Sequence, residues 1–129
     1  MSVSDAKYVV SVDFGSDAVV CAISAIDSPT KVDLVVDAVS SKRFTAPVVA
    51  FKGNERLAGE LACTQPASNA KNVVKDLVLL CAAEADGDAA PSAAEFSAFD
   101  IVDGEGASVR YNGEQRVFSA WKVGFGYWG

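Results

Sequence analysis

The 129-residue chain contains no histidine and a single methionine. Without an imidazole, histidine-based catalytic dyads and histidine-ligated zinc sites are excluded. Cysteine is scarce as well. Cys21, Cys63 and Cys81 are odd in number, widely spaced and set among largely apolar neighbours. That pattern points to reduced, buried thiols in a cytosol-like compartment, not to a disulfide framework or a metal site. Positive charge is also limited, with 11 Lys and Arg against 17 Asp and Glu and a net charge of −6. Phosphate backbones are gripped by clustered Lys and Arg, so nucleic acid is not an expected partner. No apolar run approaches the roughly 20 residues that cross a bilayer. The N-terminus also lacks a basic segment, an apolar core and a small-residue cleavage site in succession. A cytoplasmic protein without membrane contact is the expectation.

What is present is a core. Half the residues are hydrophobic and 22% are charged, the balance of a folded domain or a piece of one. The chain is organised around residues 9–22, where an apolar run ends in Asp13-Phe14-Gly15-Ser16 and a second begins almost at once. β-Branched residues dominate both arms and turn-forming residues lie between them, which predicts strand, tight turn, strand. Gly15 lets backbone amides approach an anion, and Ser16 adds a hydroxyl. Asp13, closing the first strand, is placed to face a hydrated metal ion. Such a hairpin could grip the phosphates of a nucleotide, or it could be an ordinary turn with a small residue.

In chain order, residues 1–7 read as a polar, frayed terminus. Strands are expected over Tyr8–Phe14, Ala18–Ile26 and Lys31–Val39, forming an antiparallel meander. Ser40–Phe44 is a basic-polar connector. Thr45–Phe51 and Glu55–Ala58 read as strands, with Pro47 near the start of the first, where a missing amide is tolerated. Gly59–Thr64 reads as a brief helix. Asn69–Glu84 reads as the main helix, capped by Ser68 or Asn69, with Val73, Val74, Leu77, Leu80 and Cys81 as its core stripe. Val78 and Leu79 widen that stripe, so a helix covered on most sides is expected. Residues 83–94 form an Ala/Asp/Gly-rich loop. Phe96–Val102, Ala107–Tyr111 and Gln115–Phe118 complete a second antiparallel set. Asn112-Gly113 is a strong hairpin signal. A strict two-residue loop would pair Val109 with Arg116 and interrupt the apolar face, so a longer loop is expected.

Several segments together resemble a family. The opening hairpin, then Phe44–Phe51, then Asn54-Glu55-Arg56-Leu57-Ala58-Gly59-Glu60, resemble the start of a heat-shock-70 chaperone ATPase domain. Residues 69–76 resemble that family's asparagine-rich helix start and Phe96–Phe118 its following strand pair, with Val109–Glu114 matching a valine-x-tyrosine-x-glycine-glutamate pattern. The likeness runs from about Tyr8 to Phe118. It implies an α/β chain with part of the actin-like, ribonuclease-H-like ATPase fold. Residues 1–39 would supply the first strands of subdomain IA with the phosphate hairpin. Residues 40–119 would be IB-like, combining strands and helices, and 120–129 an atypical aromatic and glycine tail. It further implies ATP or ADP with Mg2+ as cofactor, Gly15, Ser16, Asp17 and Ala18 at the phosphates, and Asp13 facing the metal through water.

The departures from the family pattern matter most for chemistry. Ser16 and Asp17 stand where the family has two threonines, and the Asp17 carboxylate would face phosphate charge. Ala18 removes a wall of the pocket. An ungapped alignment from Glu55 to Leu80 puts Val78 at the family's catalytic lysine and Leu79 at the following arginine. Lys75 could substitute only if the register slipped. No catalytic residue is therefore assigned, and hydrolysis by this chain is not expected. Similar looseness at the hairpin characterises the large and ribosome-associated relatives, partners of ordinary heat-shock-70 chaperones. The last residues, including Trp121, Phe125, Tyr127 and Trp128, do not resemble the family's next helix, so truncation with partial packing of the tail is expected. Three functions follow: a divergent chaperone nucleotide-binding segment, a non-enzymatic protein-interaction module with a vestigial hairpin, or a kinase of the wider superfamily. Residues 55–60 favour chaperone over kinase. Partners are expected to be other protein chains, with self-association through an exposed sheet edge.

Overall fold

The computed structural model describes residues 6–85, 98–102 and 104–124. Among the described residues, nine strands fall into three antiparallel three-stranded sheets. The expected frayed residues 1–5, most of the 83–94 loop, Phe96, and Phe125, Tyr127 and Trp128 lie outside the described residues.

The first sheet is the meander β1 (Tyr8–Phe14), β2 (Val19–Ala25) and β3 (Val32–Leu34). β3 is much shorter than the expected Lys31–Val39. Val35 still donates its N–H to the Cys21 carbonyl at 2.8 Å, but Asp37 then turns the chain. Its carboxylate accepts the Val39 and Ser40 amides at 2.9 and 2.8 Å, which competes with further pairing. Directly opposed residues share a face. Tyr8/Ala25, Val10/Ile23, Val12/Cys21 and Phe14/Val19 therefore make one face apolar along the whole β1–β2 ladder. β1 is exposed throughout, Val10 at 59%.

The second sheet has the order β5 (Glu55–Ala58), β4 (Val49–Lys52), β6 (Val73–Val74). The predicted strand Thr45–Phe51 is divided at Pro47. Thr45 bridges back to Val19 in the first sheet, and regular pairing in the second begins at Val49. Proline has no N–H to give a ladder, so it marks the crossing between sheets. β4 is central and covered on both sides. Val49 and Phe51 enter the main core, whereas Ala50 packs with Val48, Val73 and Ala62 of α1 (Glu60–Cys63).

The single helix expected over Asn69–Glu84 is three elements. A 3-10 helix spans Ala67–Asn72, β6 follows, and α2 covers Leu77–Ala85. The β-branched pair Val73-Val74 is buried as a strand against Val49 and Ala50. Asp76, not Ser68 or Asn69, caps α2: with φ at 53°, it accepts the Leu79 amide on its carboxylate at 3.1 Å. Leu77 and Leu80 reach the core, but Val78 and Cys81 are exposed, so α2 is covered on one side only.

The third sheet is β7 (Asp100–Val102), β8 (Gly106–Tyr111) and β9 (Glu114–Phe118). Asn112 and Gly113 both have positive φ, 53° and 79°, as a two-residue hairpin turn requires. The strict register, Val109 opposite Arg116, corrects the expected longer loop. It is tolerated because Arg116, on the edge strand, turns outward to Glu114 at 3.2 Å while Val109 stays buried. Gly106, at φ 134°, lies so close to the Phe118 carbonyl that any Cβ would collide with it. α3 (Ala120–Gly124) opens the tail. Ser119 Oγ accepts the Lys122 amide, the Glu84 carboxylate accepts the Ala120 amide, and Ala120 and Val123 pack into the core.

The second and third sheets meet at Phe51. Its ring stacks on Phe118 at 5.2 Å and meets Tyr111 edge-on at 5.6 Å, with the Arg56 guanidinium 5.1 Å above it. Two asparagines tie the backbones. Asn69 Nδ2 donates to the Phe51 carbonyl, Asn72 Nδ2 to Asn69 Oδ1, and the Arg110 amide donates to Asn72 Oδ1. Asn72→Ala strands the Arg110 amide and one acceptor of Asn69. It should therefore lower stability by about 0.5–1.5 kcal/mol in urea unfolding. A loss below about 0.5 kcal/mol would show that water replaces the link.

Candidate functional site

The residues singled out in the opening hairpin come together in one turn. Phe14 pairs with Val19, so Gly15, Ser16, Asp17 and Ala18 form the connection, closed by the Gly15 N–H donating to the Ala18 carbonyl at 3.0 Å. Gly15 thus uses its own amide inside the turn. The Ser16, Asp17 and Ala18 amides have no hydrogen-bond partner among the described residues. Successive unused amides at a strand–turn–strand corner are what an anion can use. Ser16 and Asp17 are exposed, and Asp13, one residue before Phe14 on β1, is exposed too.

Sequence reasoning overlooked what holds this turn. Val19, the first residue after it, exchanges two backbone hydrogen bonds with Thr45, at 2.8 and 3.0 Å. Thr45 is packed against Gly59, whose φ is 62°; a Cβ there would stand 2.6 Å from Thr45 Oγ1. Asp37 accepts from the Ser40 and Val39 amides, the Ser40 hydroxyl and the Thr45 side chain. These bonds, the Ser40 amide first, hold the Asp37 carboxyl below the ordinary carboxylate range. The signal available in the sequence was an aspartate three residues before a serine, the pattern of a side-chain-closed turn.

The remaining candidates lie elsewhere. Val78 is on the first turn of α2 and 39% exposed. Lys75 lines a cavity beside α1 and the 3-10 helix to which no hairpin residue contributes. Among the described residues, no group of three or more potential metal ligands occurs. Asp13 could therefore hold Mg2+ only through water and the phosphate oxygens of a nucleotide. The residues present fit the anionic part of a nucleotide better than an independent metal site. The cysteines are free, as expected, but not buried: Cys21 is half-buried, and Cys63 and Cys81 are exposed. Local desolvation and the Glu84 carboxylate push the Cys81 thiol up.

Known proteins share these segments. The family described as Hsp70 protein matches residues 9–125. A heat shock protein homolog of Eremothecium gossypii is 36% identical over 115 residues, covering 86% of this chain and 16% of the relative. The same-named homolog of Candida glabrata is 35% identical over 112 residues, covering 84% of the chain and 16% of the relative. The chain thus spans a small part of the length of the relatives it matches.

The Asp37 turn carries a pH signature. Its folded pKa lies below that of the unfolded chain, near 3.9. The contribution is therefore complete above about pH 4 and is lost as pH falls through the folded value. The Val39 and Ser40 amides should lose hydrogen-exchange protection on acidification through that range, and Asp37→Asn should remove the transition.

Proposed function

The chain belongs to the Hsp70 protein family, and from that premise we propose that it is a divergent nucleotide-binding segment of an Hsp70-like chaperone. On this reading residues 1–39 belong to the subdomain that carries the phosphate hairpin and 40–119 to its IB-like neighbour. The observation that carries the proposal is the turn Gly15–Ala18, with three unused amides and its end fixed by Thr45. The family likeness supplies the ligand: ATP or ADP with Mg2+, the phosphates against the Ser16, Asp17 and Ala18 amides and the metal's water shell toward Asp13. A superfamily kinase is set aside by the family match.

The chain's own residues make that grip weak and unproductive. A few phosphate contacts without burial of the base support affinity only in the millimolar region. The Asp17 carboxylate sits among those contacts and repels phosphate. At the aligned position of the family's lysine, Val78 offers neither charge nor a hydrogen bond to an attacking water, so no residue here is assigned to hydrolysis. In the chaperone reading, the segment contributes to a cytoplasmic protein that acts with other protein chains.

A second reading, a protein-interaction module, is favoured by a separate observation. Tyr8, Val10 and Val12 lie exposed on one face of the first sheet, beside the edge of β1 that pairs with no further strand among the described residues. Such a face and edge favour association with another chain or a second copy.

Calorimetry with Mg-ADP distinguishes the two. Saturable heat at millimolar nucleotide supports the first, and no heat leaves only the second. Asp17→Thr should tighten binding roughly fivefold by removing one repulsive charge. Val78→Lys should leave the isolated chain without ATP turnover; measurable ADP release would show that this single position limits hydrolysis.

A further inference from the structure

A cavity of about 480 Å³ opens between α1, the 3-10 helix, α2 and β7. It shares no residue with the β1–β2 turn and is therefore a separate site. Its wall is mostly apolar, with Ala62, Ala70, Val73, Leu80, Phe99 and Ile101 contributing; Cys63, Gln65, Lys75 and Asp76 add polar groups, of which Cys63 and Lys75 are exposed. This size, an apolar lining and a few polar groups are the features of a site for a small organic molecule.

Charge decides the class of that molecule. The Asp76 carboxylate, beside Lys75, is engaged by the Leu79 amide at the start of α2. The Lys75 ammonium forms no ion pair among the described residues. The lining therefore offers one cation without an ion pair among the described residues, Lys75, while its one carboxylate already occupies the N-terminal end of α2. We propose that this cavity binds a small apolar carboxylic acid, its chain or ring against the Leu80–Phe99–Ile101 wall and its carboxylate at Lys75 Nζ. The apolar wall supplies most of the affinity. A partly exposed ion pair adds at most about fivefold and selects the acid over its neutral analogue.

The three cysteines make the proposal measurable in the intact chain. Cys63 stands at the cavity, Cys81 is exposed outside its lining, and Cys21 lies on the apolar face of the first sheet. Alkylation by iodoacetamide is followed at each cysteine by mass spectrometry while decanoate, below its aggregation concentration, is titrated in. Cys63 should be protected saturably, with Cys21 and Cys81 keeping their rates. Lys75→Met, which retains an apolar stem, should raise the half-protecting concentration by about fivefold, and decanol should show the same deficit on the unsubstituted chain. Protection of Cys21 alone, equal protection of all three, or no protection would overturn the site. An unchanged response in Lys75→Met would overturn the role of the cation. Protection that arises only after deletion of residues 88–94 would assign the cavity to the chain's own segment and overturn the proposal as well.

Discussion

Phe51 is the point on which the packed part of the molecule depends. Its ring is fully buried between Phe118 and Tyr111, its carbonyl accepts from Asn69, and Arg56, opposite it on β5, lies over the same ring. Arg56 also donates to the Lys122 carbonyl at 2.9 Å, tying the second sheet to α3. Phe51 therefore joins β4, β5, the 3-10 helix and the β8–β9 hairpin, and Arg56 extends the link to α3. The two hairpin tips reinforce the joint, with the Asn112 amide donating to the Gly53 carbonyl and the Tyr111 hydroxyl to the Asn54 carbonyl. Aromatic area supplies the larger energy here; the polar links fix which backbones face one another.

The first sheet stands in contrast. No residue of β1, β2 or β3 is among the buried core residues, and its tie to the second sheet runs through Val19 and Thr45. Its cross-strand pairs are apolar on one face, so the sheet is patterned for burial and stays open among the described residues. Covering apolar surface yields roughly 25 cal/mol per Å², enough for such a face to favour association. The candidate phosphate turn is consequently carried on a part of the chain whose rigidity comes from hydrogen bonds. Asp37, Thr45 and Gly59 take the place of a core there: they hold Val19, the residue at which the turn ends.

The chemistry of the site follows from the same division. A β-turn can offer amides to an anion with no core beneath it, whereas hydrolysis needs a charged group held close to the phosphates. Val78 is aliphatic and lies on a helix of the packed part, while Lys75 lines a cavity to which no residue of the turn contributes.

Patterns that depend on near neighbours were legible in the sequence: the opening hairpin and its turn, Glu55–Ala58, the helix after Gly59, and the strands on either side of Asn112-Gly113. Family membership was legible too, because several short motifs recur in one order. Long-range competition decided the rest. Val73 and Val74 fit a helical stripe equally well, and only the open edge of β4 made them a strand. Val109 opposite Arg116 looked like a fault until the arginine proved to lie on an edge with Glu114 beside it. The Asp37–Thr45–Gly59 anchor joins residues distant along the chain, and the cavity at Lys75 is the gap left by four packed elements. Local residue choice set the turns and the strand periodicity; which surfaces were covered depended on which distant segments met.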